Sequence, residues 1–163
     1  MRPSDADASD YLVRAATAAD DDAILALCAR FAQAPLPRFR QRNSYLAHLR
    51  RDIAADLEEL PAGTVVLVAE DGGGHCVGFA RLRLVTDSVD GTRNAHLADL
   101  AVAANHEGKG VAHALLEAAE DFAREQHCAH LQLFAFPEHE QALRLYRRAG
   151  FETDMLRLIK PLR

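Results

Sequence analysis

Two stretches of this sequence combine residue types and spacing that can do chemistry. Leu97-Ala98-Asp99-Leu100-Ala101-Val102 is apolar except for one carboxylate, and Gly108-Lys109-Gly110-Val111-Ala112 follows within a few residues. The first reads as a buried strand. The second reads as a tight turn opening into a helix that runs from Gly110 to Gln126. A helix start presents unpaired N–H groups and the positive end of its dipole. Two glycines let an anion approach that backbone closely. Strand, turn and helix start together fit a pyrophosphate-bearing ligand. Glycine turns also occur at such junctions for steric reasons alone, so other residues must decide.

Further along lies Ala142-Leu143-Arg144-Leu145-Tyr146-Arg147-Arg148-Ala149-Gly150-Phe151. Taken with the first stretch, this resembles the GNAT superfamily of acyl-CoA-dependent N-acyltransferases. That family has a Leu-x-Val strand, an Arg/Gln-x-x-Gly-x-Gly/Ala loop and an Ala-x-x-Leu-Tyr-x-x-x-Gly-Phe helix end. The loop here is Glu107-Gly108-Lys109-Gly110-Val111-Ala112, and the helix end matches in full. The resemblance spans Leu12 to Leu162. It implies acetyl-CoA as co-substrate, no metal, and direct acetyl transfer to a primary amine of a small-molecule or peptide acceptor. It also implies an α/β fold: a mixed, mostly antiparallel central sheet flanked by helices. That sheet splays between the strands of Leu100 and Leu131, and the pantetheine arm lies in the cleft.

Acyl transfer from a thioester to an amine poses two proton problems. An alkylammonium with a pKa near 10 must lose a proton before it attacks. The departing thiolate, with a pKa of about 8.5, leaves more easily when protonated. The carbonyl oxygen also needs hydrogen-bond donors as charge builds on it. Tyr146 matches the family's helix-end tyrosine, which implies the acid that serves the thiolate, and a neutral phenol is a donor at pH 7. Its plain alternative is a core aromatic on the stripe Ala142, Leu145, Tyr146 and Ala149. Asp99 is the candidate base, directly or through a water, because apolar neighbours raise a carboxylate's pKa. In a regular strand it shares a face with Leu97 and Ala101. His96, with a near-neutral intrinsic pKa, is the rival base. It lies on the opposite face unless a bulge intervenes. For both, the plain alternative is a structural hydrogen bond.

The resemblance further implies that Leu100, Ala101 and Val102 offer backbone groups to the pantetheine. Glu107, Gly108, Lys109, Gly110, Val111 and Ala112 then cradle the pyrophosphate. Glu107 departs from the family's Arg or Gln and sets an acid beside phosphates, with Lys109 and His106 at hand to offset it. His139 stands where the family often has an Asn that contacts the cofactor; its plain alternative is an exposed helix start. Arg38, Arg40, Arg42, Arg50 and Arg51 cluster where the family binds its acceptor. Arginine forks there suit a carboxylate or phosphate, but a solvated charged face is the usual fate of such a run.

Two other classes compete. A non-catalytic acyl-CoA-binding or regulatory module is allowed by Glu107 and by the open question of the base. A P-loop hydrolase needs Gly-x-x-x-x-Gly-Lys-Ser/Thr, and here Gly108-Lys109 is followed by Gly110.

Composition narrows the partners. The 163 residues suit one domain with a sizeable core. A net charge of −5 and the absence of Trp argue against nucleic acid. No apolar stretch approaches the roughly 20 residues that span a bilayer, so no membrane role is expected. Cys28, Cys76 and Cys128 are odd in number and widely spaced, which fits free thiols in the cytoplasm. His127-Cys128-Ala129-His130 fits no zinc spacing. A homodimer is compatible with all of this.

The elements that must position the site follow from pattern. Residues 1–10 are polar and acidic and read as a flexible tail, leaving 11–163 as a single domain. Tyr11–Ala16 reads as a strand, and a helix then runs from the Thr17 cap to Ala32 before Pro35 and Pro37. Leu46, Leu49, Ile53, Leu57 and Leu60 mark a second helix, capped by Asn43 or Ser44 and stopped at Pro61-Ala62-Gly63. Strands are expected over Thr64–Glu70, His75–Val85, Ala95–Val102, His130–Phe136 and Met155–Lys160, with a helix over Glu138–Ala149.

Overall fold

A computed structural model describes residues 10–162. The expected tail over 1–10 therefore lies almost wholly outside the described residues. Among them, five strands form one sheet in the order β1-β2-β3-β4-β5. They are β1 Leu12–Ala15, β2 Thr64–Glu70, β3 Cys76–Thr86, β4 Arg93–Val102 and β5 His130–Leu133. The first four are antiparallel neighbours, and β5 runs parallel to β4. The helices are α1 Asp21–Leu27, α2 Arg42–Glu58, α3 Val111–Glu125 and α4 Glu140–Arg148. This is the splayed, mostly antiparallel α/β architecture that the resemblance implies.

The helices cover the sheet from two sides. On one side α3 buries Val111, Leu115, Leu116 and Ala119 against Leu67, Ala80, Leu82, Ala95 and Leu97. On the other, Ile24 and Leu27 of α1 and Ile53 of α2 pack on Val66, Val68, Phe79 and Ala101. Gly78 sets how closely α3 approaches. A Cβ there would lie 2.8 Å from the Val111 side chain and 3.1 Å from the Ala101 carbonyl oxygen.

Several expected elements differ. The first helix is α-helical only over Asp21–Leu27, between 3-10 turns at Ala18–Asp20 and Cys28–Gln33. Asp20 does more than suit the dipole, accepting the Thr17 N–H at 2.8 Å and the Arg14 guanidinium at 2.7 Å. The second helix starts two or three residues early, with Gln41 at the cap position rather than Asn43 or Ser44. Residues 155–160 form no strand, because no neighbouring strand is beside them to pair with.

One departure matters for the site. Arg81 pairs with Asp99 and Leu82 with Leu97, so Ala98 is an extra residue in β4. Leu97 therefore faces α3, whereas Asp99 faces α2 with Arg81. The expectation that Asp99 and Leu97 share a face is corrected by this bulge. Beyond it His96 pairs with Arg83, whose guanidinium reaches Asp52 and Asp56 of α2. His96 and Asp99 thus lie on the same side of the sheet.

Replacing Gly78 with Val should overpack the junction of β3 and α3. A loss of about 1–3 kcal/mol is expected, read as a lower urea midpoint with an unchanged slope.

Candidate active site

β4 and β5 separate part-way along. Their pairing runs from Asn94 with His130 to Leu97 with Leu133. Among the described residues, β4 has only β3 beside it from the bulge to Val102. The Ala103 N–H donates to the Val77 carbonyl at 2.8 Å. Antiparallel alternation then turns the Ala101 backbone groups toward Phe79 and leaves those of Leu100 and Val102 on the open edge. Ala101 is thereby committed to the sheet and is not a free backbone partner.

At the mouth of this opening lies the glycine turn. Gly108 and Gly110 have φ of +70° and +90°, and space beside each is open. Left-handed backbone of this kind favours glycine. α3 begins at Val111 with no side-chain cap, so the amides of Val111 and Ala112 at the helix start face outward with the dipole behind them. Lys109 is exposed on the turn.

Glu107 is not left facing the turn alone. The Arg30 guanidinium pairs with its carboxylate, and Arg30 Nε donates to the Val102 carbonyl at 3.0 Å. Arg30 belongs to the 3-10 turn after α1, a position with no sequence signal pointing to Glu107. His106, expected to offset Glu107, instead meets the Tyr11 hydroxyl through Nδ1 at 3.1 Å.

Tyr146 projects from α4 with its ring against Phe151, centroids 5.7 Å apart. Among the described residues no protein group takes up its hydroxyl. Burial, helped by the negative charge of Asp99, pushes its pKa up to about 12. His139 precedes the first turn of α4, where its carbonyl accepts the Leu143 N–H at 3.0 Å. Burial lowers its pKa, so the ring is neutral at pH 7.

The side of the sheet facing α2 is built on Arg81, which is buried. Its guanidinium donates to Asp99 at 2.6 Å, Asp56 at 2.6 Å and Asp52 at 2.8 Å. Burial raises the Asp99 pKa, and the neighbouring Arg81 charge opposes that rise. Burial and the arginines Arg83 and Arg81 lower the His96 pKa, which keeps its ring neutral. The His96 ring lies 4.7 Å from Phe134, and Tyr45 of α2 meets Phe136 at 6.1 Å. Sequence reasoning missed Arg81, Asp52, Asp56 and Tyr45. Asp52 and Asp56, one helical turn apart beside Ile53, were the available signal.

Two of the five arginines in the run, Arg42 and Arg50, are structural. Arg42 donates to the Ala34 carbonyl at 3.0 Å and Arg50 to the Leu25 carbonyl at 2.7 Å. These bonds tie α2 to the chain leaving α1. Arg38, Arg40 and Arg51 are exposed. The three cysteines are free thiols. No helix among the described residues is long and apolar enough to cross a membrane.

A profile of the GNAT acetyltransferase family matches residues 24–151. The chain belongs to that family. Among relatives of this GNAT domain, aminoglycoside N(6')-acetyltransferase type 1 of Stenotrophomonas maltophilia is 32% identical over 148 residues, 89% of this chain and 88% of that protein. Streptothricin acetyltransferase of Streptomyces lavendulae is 34% identical over 97 residues, 60% of this chain and 48% of that protein. This chain thus spans about half of that relative's length. Ribosomal-protein-alanine N-acetyltransferase of Brucella melitensis superposes with a TM-score of 0.67 at 26% identity, covering 93% of this chain and 99% of that one.

Two outcomes are expected. Arg81→Ala leaves the buried Asp99 carboxylate without its cation while Asp56 keeps Arg83, so stability should fall by about 3–5 kcal/mol in urea denaturation. Arg30→Ala frees the Glu107 charge beside the turn and should weaken CoA binding in calorimetry. Adding Glu107→Gln to it should restore most of the loss, a coupling that two independent residues would not show.

Proposed function

We propose that this chain moves an acetyl group from acetyl-CoA directly to a primary amine on a small molecule or peptide. The observation that carries the reading is the open edge of β4 at Leu100 and Val102, between the uncapped start of α3 and Tyr146. The Glu107–Ala112 turn and the α3 amides would hold the pyrophosphate. The Leu100 backbone groups and the Val102 N–H, whose own carbonyl is taken by Arg30, would hold the pantetheine amides, with His139 a further cofactor contact. When bound, acetyl-CoA supplies the thioester carbonyl that the amine attacks.

Asp99 then takes the ammonium proton, directly or through a water, and His96 is the second group on the same face able to do so. Tyr146 donates its phenolic proton as the thiolate departs. Its pKa of about 12 keeps that proton in place across the working range. The free cysteines suit a reducing compartment. The amine follows no single relative: one is named for aminoglycosides and another for streptothricin, and acceptor loops vary freely on a shared scaffold.

A panel of amines screened with acetyl-CoA and thiol detection tests the reading, and thiol release with a subset is expected. CoA that raises Tm while the thioester survives every amine would indicate a non-catalytic acyl-CoA-binding module instead. Tyr146→Phe keeps the ring and deletes the donor. Turnover should fall roughly 10²–10⁴-fold, while acetyl-CoA affinity and Tm change little. The pH profile has a definite sign. Activity should fall as pH drops through the raised carboxyl pKa of Asp99, and no loss from Tyr146 should set in below about pH 10. Wild-type turnover in Tyr146→Phe would remove the acid role.

A further inference from the structure

Polar side chains meet edge to edge where β4 pairs with β5. Asn94 stands opposite His130, and His96 opposite Gln132. Asn94 Nδ2 reaches Asp87 Oδ2 at 3.0 Å and Gln132 Oε1 at 3.1 Å. Gln132 Nε2 then meets His96 Nδ1 at 3.4 Å. This chain of bonds has one direction, and Asp87 sets it. A carboxylate only accepts, and the Val89 N–H holds the other Asp87 oxygen at 2.7 Å. Asn94 must turn its NH2 group to Asp87, because the reversed amide sets two acceptors face to face. The second Asn94 N–H goes to Gln132, which must present its carbonyl oxygen. The other end of the Gln132 amide is then a donor, so His96 Nδ1 has to accept. Asn94 Oδ1 lies 3.2 Å from His130 Nδ1, which fits the same orientation. A neutral imidazole that accepts at Nδ1 carries its proton at Nε2. Burial and the charges of Arg83 and Arg81 keep the ring neutral.

No protein group among the described residues takes up His96 Nε2. Every side-chain nitrogen sealed from solvent among them has a partner, so Nε2 opens on free space. Phe134 lies 4.7 Å from the ring and packs on it. His96 belongs to the last pair but one before β4 and β5 separate, on the face of Asp99.

We propose that His96 donates a hydrogen bond from Nε2 to the acceptor substrate and so selects amines that carry an oxygen a few bonds from the nitrogen. Asp87, Asn94 and Gln132 are the positioning residues that fix its proton at Nε2. This assignment rests on the acetyl-transfer reading and narrows it, leaving Asp99 to take the ammonium proton. Asp99 and His96 stand opposite Arg81 and Arg83, alternate residues of β3, which sets them about 7 Å apart along the face. An amine held at Asp99 brings a neighbouring hydroxyl or carbonyl oxygen within reach of Nε2. A plain alkylamine leaves that N–H without a partner, which a site built around a donor penalises.

Long-range nitrogen–proton NMR spectra of the isotope-labelled full chain at pH 7 read the tautomer with no substrate present. The His96 signals are those missing from His96→Phe. They should show a protonated Nε2 and a bare Nδ1. Gln132→Glu sets an acceptor against the ring and should reverse the tautomer. A wild-type ring protonated at Nδ1, or exchanging between both forms, overturns the proposal, and this result needs no variant beyond the one used for assignment. Kinetics with thiol detection then test the substrate class, using ethanolamine against propylamine and valinol against its deoxy counterpart, with rates taken per free amine. The hydroxyl-bearing member of each pair should be preferred about tenfold or more in kcat/KM. In His96→Phe that preference should vanish through KM, while the acid limb of the pH profile remains. Equal use of both members, turnover confined to amines without such an oxygen, or an acid limb lost with His96 overturns the proposal. A chain that releases thiol with no amine at all removes the acetyl-transfer reading and the substrate class with it, while the spectrum still decides the tautomer.

Discussion

Arg81 is the group on which the joining of α2 to the sheet depends. A guanidinium cannot be deprotonated in a protein, so its burial demands carboxylates. β4 supplies Asp99, and α2 supplies Asp52 and Asp56 from successive turns. One side chain in the middle of β3 therefore ties a helix and a strand into one unit. The bulge at Ala98 belongs to the same arrangement. Asp99 shares the face of Ala101, toward α2 and Arg81. The extra residue between it and Leu97 sends Leu97 to the α3 side and brings His96 to the face of Asp99. Such a network adds little net stability relative to well-packed apolar groups, but breaking it is expensive. Its consequence here is geometric: it fixes which residues face the acceptor side of the cleft.

The cofactor side is joined to that unit through the chain leaving α1. Arg42 of α2 caps carbonyls in this stretch, and Arg50 bonds to α1 itself. Arg30, held between them, reaches the Val102 carbonyl and the Glu107 carboxylate. The acid that departs from the family pattern is thereby neutralised from a different element. The charge at the glycine turn is set by the pair, and by Glu107 alone only if Arg30 is lost. A consequence is that the segment leaving α1 also positions one edge of that turn.

Much of this was legible in the sequence because burial leaves a period. Thr64–Glu70 matches the observed β2 end to end, and Leu46, Leu49, Ile53 and Leu57 mark the inner face of α2. The glycine turn and the Tyr146 helix end are local motifs and read directly. The bulge was not legible, since Leu97-Ala98-Asp99 looks the same as a regular alternation and a small Ala98 gives no sign of being extra. Ala80-Arg81-Leu82-Arg83 likewise reads as a strand with a wet face, whereas α2 covers that face. Only three-dimensional packing tells a solvated arginine from a buried one. Met155–Lys160 has the pattern of a strand, but a strand also needs a neighbour, and that is a property of the assembled sheet.

Burial acts on Tyr146 and Asp99 with the same sign and opposite chemical effect. Taking either group out of water disfavours its anion and raises its pKa. For the phenol this means a proton held firmly across the neutral range. For the carboxyl it means a stronger affinity for a proton than an exposed aspartate has. The two are also coupled, because the Asp99 charge adds to the rise at Tyr146. Arg81 opposes the rise at its own partner, Asp99. Burial and the Asp99 charge therefore push the phenol up together, whereas at Asp99 burial works against a buried cation.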